Sequence, residues 1–101
     1  MVHITHNIVR DILNTLDSPF DSHDVEFALI VKHTEVFAKD LAEFCRTHHK
    51  SPLRLFSANF AKWLNAEFGS QIQKGPKVST LSLSGREVSN QQWFKVRVPI
   101  T

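Results

Sequence analysis

The amino-acid sequence predicts a mainly α-helical fold closed by a C-terminal β-hairpin. Two observations carry this. Up to residue 68, apolar residues recur every three or four positions, the spacing of helices with one buried face. After Gly69 the pattern changes to alternation, which is the strand period. The 101 residues suit a single domain over positions 1–101. Hydrophobic residues make up 42% of the chain, and eight Phe with two Trp supply much of the core volume.

The first helix is expected over residues 5–16, where Ile4, Ile8, Val9, Ile12, Leu13 and Leu16 share a face. Thr5 is its expected N-cap, and Asp17-Ser18-Pro19 closes it, because Pro restricts the residue before it and cannot continue a helix. Asp21 or Ser22 caps a second helix over about residues 23–33. A third, capped by Thr34, covers about 35–47 with Phe37, Leu41, Phe44 and Cys45 on one side. Helices two and three are either separate or one bent rod. Residues 48–52 read as a connector. Ser57 then caps a fourth helix from Ala58 to about Phe68, with Phe60, Trp63, Leu64 and Phe68 inward and Gly69 as its stop. Leu81 and Leu83 alternate with polar residues, as do Phe94, Val96 and Val98. They read as two strands around a polar loop from Ser84 to about Gln91. Phe37, Leu41, Phe44, Phe60, Trp63, Leu64 and Phe94 are expected to share one core. Helices followed by one hairpin is the order of a winged helix-turn-helix. The rival is an α+β domain whose hairpin only covers a helical core.

The net charge of +2 conceals a strong division. Residues 1–45 hold three basic side chains against eight acidic ones, whereas residues 46–101 hold nine against two. A basic C-terminal half points to an anionic partner, against the alternative of a chance cluster of solvated Lys and Arg.

Several stretches resemble the winged-helix module at the C-terminus of many phage and plasmid primase-helicases. They are Asp40-Leu41-Ala42-Glu43-Phe44-Cys45, Ser51-Pro52-Leu53, Ser57-Ala58-Asn59-Phe60-Ala61-Lys62-Trp63-Leu64, and Gly85-Arg86-Glu87-Val88 leading into Trp93-Phe94-Lys95-Val96-Arg97-Val98. The resemblance runs from Val36 to the end. It implies a helix-turn-helix plus wing over 34–101, with the acidic residues 1–33 as a helical extension, and a DNA-recognition helix beginning at Ser57. It implies neither primase nor helicase activity, since no nucleotide-binding domain is present.

With its apolar stripe inward, the fourth helix turns Ala58, Asn59, Lys62, Asn65 and Ala66 outward. Asn reads adenine bidentately, Lys contacts guanine or phosphate, and small residues allow close approach to a groove. Ser57, Ala58, Asn59, Lys62 and Asn65 are therefore the expected nucleic-acid contacts on this helix, with Arg54 just before it. Lys77, Arg86 and Lys95 are the expected contacts around the hairpin, where Lys74 and several Ser residues add further donors to phosphate. An ordinary solvated helix face and a polar hairpin that keeps a sheet edge soluble are the plainer explanations of the same residues.

Other chemistry has less support. Cys45, His48 and His49 are close in sequence, but no CxxC or HExxH pattern occurs and Cys45 falls on an apolar face. No metal or cofactor is expected. No GxSxG elbow or phosphate-binding glycine loop is found, so no enzyme is expected. The lone Cys45, the absence of an apolar run near the roughly 20 residues of a membrane helix, and a start without the layout of a signal peptide give a cytoplasmic expectation. The functional expectation is a DNA-binding regulator or replication accessory factor. The alternative is a protein-interaction domain, whose acidic helices dock a basic partner or another copy.

Overall fold

The structure, a computed structural model, describes residues 1–101. Four helices and a three-stranded antiparallel sheet follow one another as α1 (His6–Leu13), β1 (Phe20–Asp21), α2 (Ser22–Lys32), α3 (Thr34–Thr47), α4 (Pro52–Phe68), β2 (Ile72–Leu81) and β3 (Glu87–Lys95). The strand order is β1-β3-β2.

Thr5 caps α1 as expected, its side chain accepting the Ile8 amide. The helix ends earlier than position 16 because the chain tightens after Leu13. Thr15 donates both its amide, at 2.9 Å, and its hydroxyl, at 2.7 Å, to the Ile12 carbonyl. Two residues of strand β1 follow, unexpected from the sequence, and pair Phe20 with Trp93 and Asp21 with Gln92. Asp21 then caps α2. It accepts the amides of His23 and Asp24 while Asp24 accepts the Asp21 amide in return, a reciprocal box that satisfies orphan donors of the first turn.

Helices α2 and α3 are separate, broken at His33 with φ −135° and ψ 51°. Thr34 is not the cap of α3. Its hydroxyl turns back to the Ile30 carbonyl, and no side chain caps the helix. Helix α4 starts at Pro52, well before the expected Ala58. Ser51 takes the left-handed conformation at φ 48°, and Pro52 occupies the first turn, where its missing N–H is not needed. Ser57 is therefore a mid-helix residue and not a cap.

The strands begin earlier and end sooner than expected, with Leu83 in the turn and Val96 and Val98 beyond the end of β3. The segment from Ser84 to Gln91 is not a loop. The chain reverses within Ser82–Arg86, where Gly85 sits at φ +79° and donates to the Ser82 carbonyl, and β3 is already paired from Glu87.

The core joins all parts of the chain. Residues 1–33 supply Ile4, Val9, Ile12, Leu13, Phe20, Val25 and Leu29 to the same cluster that holds Phe37, Phe56, Phe60, Leu64, Phe68, Ile72, Trp93 and Ile100. Of the residues expected in the core, Phe37, Phe60 and Leu64 are buried, while Leu41, Phe44 and Trp63 pack against them from the rim. Phe94 is not a core residue. It is 40% exposed, and Val96 and Val98, which share its alternation, are 53% and 82% exposed. Trp93 is the β3 residue that faces the helices, and the Phe94 ring lies over Gly75 on the other side.

Both ends of the described chain are tied by side chains that mimic backbone. The Asp40 carboxylate accepts the amides of Val2, His3 and Ile4. Asn14 holds Ile100 through one donated and one accepted bond, and Gln71 holds Thr101 through one donated and two accepted bonds.

Truncating Phe60 to Ala should cost about 3–5 kcal/mol in chemical denaturation, because it empties a fully enclosed site. Phe94→Ala should cost well under half of that, since its ring is partly solvated.

Candidate nucleic-acid interface

The geometry of α4 follows from its buried ridge. Phe56, Phe60, Leu64 and Phe68 are buried at four-residue spacing, which turns Arg54, Ala58, Asn59, Lys62, Asn65 and Ala66 to solvent. All six are exposed. From Arg54 to Asn65 they run about 16 Å along the helix, at 1.5 Å per residue.

The hairpin meets this helix at a shallow depression of about 210 Å³. Ala61, Lys62 and Asn65 line it from α4, and Lys74, Gln91 and Trp93 from the hairpin. The strand register explains the second group. Lys74 stands opposite Trp93 and Lys77 opposite Gln91, with a bulge between the two lysines. Residues three apart in a regular strand point to opposite faces. The bulge removes that mismatch and brings Lys77 onto the face of the ribbon that carries Lys74. Gln91 is itself fixed, its amide donating to the carbonyl of Gly75 at 2.7 Å. Arg86 lies at the hairpin turn, exposed.

Two expected contacts lie elsewhere. The Ser57 hydroxyl points inward and donates to Glu26 Oε2 at 2.9 Å. The Lys95 ammonium is bonded to the Leu16 carbonyl, and the Lys95 amide donates to Ser18, so this residue fastens β3 to the segment after α1. Lys74 adjoins Lys62 more closely in the fold than its place before the hairpin suggested.

The charge distribution is informative at atomic level. The ion pairs are His3–Glu43, His6–Glu67, Arg10–Asp11 and Lys39–Glu35. None of the Lys and Arg residues between 46 and 101 takes part in one. Arg54, Lys62, Lys74, Lys77 and Arg86 are thus cations without a carboxylate partner, and no acidic side chain lines the depression.

Beneath α4 lies the most unusual buried group, Glu26 on α2. It is fully enclosed, one oxygen accepts from Ser57, and the other has no partner. Burial pushes its carboxyl up to about 7, with Asp21 adding to the rise and the Ser57 bond opposing it. His23, one turn earlier, is lowered by burial against the pull of Asp21 and Asp24, and its Nδ1 is also unpartnered.

Of the possible metal-binding groups, His3, Asp40 and Glu43 converge, with ligand atoms within 4.8 Å of one another. Both Asp40 oxygens are filled by backbone amides, so this cluster serves as the clamp on the N-terminal segment. Cys45 is half-buried on α3. No helix is long and apolar enough to cross a membrane. No family model, curated protein or solved structure matches the chain.

Glu26 sets a pH dependence with a definite sign. Its folded pKa of about 7 exceeds the ordinary 4.5, so between these values the folded state holds more protons than the unfolded one. Stability supplied by this group is present below pH 4.5 and is lost as pH rises through 7. His23 tilts the profile the other way, losing stability as pH falls through 6.5 and below, so the difference between wild type and Glu26→Gln isolates the carboxyl. Urea denaturation from pH 4 to 8 should show the variant gaining on wild type as pH rises, by up to roughly 3 kcal/mol.

Proposed function

We propose that this chain is a nucleic-acid-binding module that docks on duplex DNA with α4 in the major groove and the β2–β3 hairpin against the neighbouring backbone. The observation that carries this reading is the unpaired state of the cations in residues 46–101. Exposed lysines and arginines are normally interspersed with acids. Here Arg54, Lys62, Lys74, Lys77 and Arg86 come from one helix and one hairpin and meet no carboxylate. Phosphate is the abundant polyanion that such a surface fits, since neutralising it releases condensed counterions.

The outer face of α4 adds a means of reading bases. Asn59 and Asn65 carry the donor–acceptor pair that matches adenine, and Ala58 keeps the helix slim enough for a groove. The element order supports a winged-helix assignment. In that arrangement a short strand after the first helix pairs with the hairpin, as β1 pairs with β3 here, and the last helix before the hairpin is the recognition helix. A regulator, or an accessory factor in replication, is the role such a module fits. We read it as a binder and not an enzyme, because Glu26 and His23, the groups with displaced titration, do not line the depression between α4 and the hairpin.

One observation favours a protein partner as the second reading. Phe94, at the end of β3, and Val96 and Val98, just after it, are exposed apolar residues close together in the chain.

Fluorescence anisotropy of a mixed-sequence duplex at two salt concentrations tests the proposal. Binding should be tight at low salt and fall steeply as salt rises. Lys62→Ala and Arg86→Ala should each lower the slope of log affinity against log salt by about one. Lys95→Ala should leave the slope unchanged, because that ammonium is already bonded to Leu16. No binding at low salt would overturn the DNA reading and favour the protein partner.

A further inference from the structure

We propose that the depression between α4 and the hairpin is a phosphate site, gripped by Lys62 from the helix and Lys74 from the strand, and that one nucleic-acid phosphate seated there locks the two elements to a single point of the backbone. The identity of the phosphate as nucleic acid rests on the function proposed above. The site itself rests on its lining.

Four features converge. First, the two lysines come from different elements and line one cavity with no carboxylate among its residues. Two exposed ammonium groups on the rim of one depression both attract an anion that enters it. Second, the size is suitable. At about 210 Å³ the depression is large enough for a single phosphate group and its waters, and its open mouth leaves room for the rest of a nucleic-acid backbone outside. Third, the lining has a donor to spare. Trp93 is only 3% exposed, and its indole N–H is among the few buried polar atoms without a partner. Asn65 adds an amide donor from α4. Fourth, the strand is shaped for the purpose. The bulge after Lys74 places Lys77 on the same ribbon face, one pair further out, where it meets the next stretch of the same polyanion.

The consequence is mechanical. A helix and a hairpin that each touch separate phosphates bind independently. A helix and a hairpin that share one phosphate are coupled, and the shared contact sets the depth at which α4 enters the groove. Phosphate contacts position a protein in this way without reading sequence.

The test uses the whole chain labelled with nitrogen-15. The protein has two tryptophans, so Trp93 gives one indole resonance and Trp63, outside the depression, gives the control. Inorganic phosphate is titrated first, then a short duplex. Both should move the Trp93 indole and the Asn65 side-chain amide saturably, leave the Trp63 indole in place, and lose this effect in Lys62→Ala and in Lys74→Ala. On duplex DNA, each single variant should reduce the salt slope by about one, and the double variant also by about one, because one phosphate is shared. A reduction by two in the double variant means separate contacts and overturns the proposal. Duplex binding with a stationary Trp93 indole overturns it too, while leaving the DNA reading intact. A saturable Trp93 shift with inorganic phosphate but no duplex binding sustains the site, makes free phosphate or a phosphorylated small molecule its ligand, and removes the DNA reading instead.

Discussion

The arrangement of the surface depends on one buried row, Phe56, Phe60, Leu64 and Phe68 on α4. At four-residue spacing this is the ridge that packs into the grooves of neighbouring helices and fixes how a helix can rotate about its axis. Its lower end is held by aromatic edges, with Phe56 against both Phe37 and Phe44 of α3. At its upper end the Phe68 ring is stacked on His6, which is bonded in turn to Glu67 and to the Thr101 carbonyl. A helix pinned at both ends cannot roll. The exposed positions of Arg54, Ala58, Asn59, Lys62 and Asn65 are therefore a consequence of the core, and so is the meeting of Lys62 with Lys74.

This dependence explains what the sequence disclosed. The outward face of α4 was legible because it is the complement of an apolar stripe, and periodicity reports that complement directly. Thr5 and Asp21 were legible as caps because their bonds are local. The start of α4 was not, since Ser57 has the composition of a cap and the Pro52 to Phe56 stretch resembles a connector. Only the position of Glu26, distant in sequence, shows why a serine stands in mid-helix. The hairpin misled for a different reason. Alternation puts Phe94, Val96 and Val98 on one side of an expected strand, but it does not show which side the helices cover or that β3 stops at Lys95. Trp93 took the covered side. The stretch from Glu87 to Asn90 carries mostly polar residues, so the start of β3 lacked an apolar period and read as loop. β1, with two residues, is too short for any period. That Lys77 shares a face with Lys74 was hidden by the bulge between them, which changes the parity of the strand without leaving a signal in hydropathy.

Glu26 shows how a costly group can serve the same end. A carboxyl enclosed between α2 and α4 loses its hydration, and one hydrogen bond from Ser57 does not replace it. Below its raised pKa of about 7 it is neutral and avoids the larger cost of a buried charge. What it adds is selectivity of packing. An apolar interface tolerates a slide of one turn, whereas a single polar pair is satisfied in one register only. Ser57 is one residue beyond Phe56 and three before Phe60, so the register fixed by Glu26 is that of the ridge itself.

The division of charge along the chain acquires meaning from this frame. Asp11, Asp24, Glu35 and Glu43 are exposed on the first three helices and Asp17 on the segment after α1, while Arg54, Lys62, Lys74, Lys77 and Arg86, all without a carboxylate partner, belong to α4 and the hairpin. A molecule with a net charge of only +2 is drawn weakly to a polyanion as a whole. Its dipole, however, turns it as it approaches, because the acidic helices are repelled while the basic elements are attracted. Such steering works over about a Debye length, roughly 8 Å at physiological salt, and fixes orientation before contact. In the proposed function, the acidic half would orient the molecule without touching the nucleic acid. Because residues 1–33 also complete the core beneath α4, the acidic part of the chain is the same part that holds the exposed face of α4 in place.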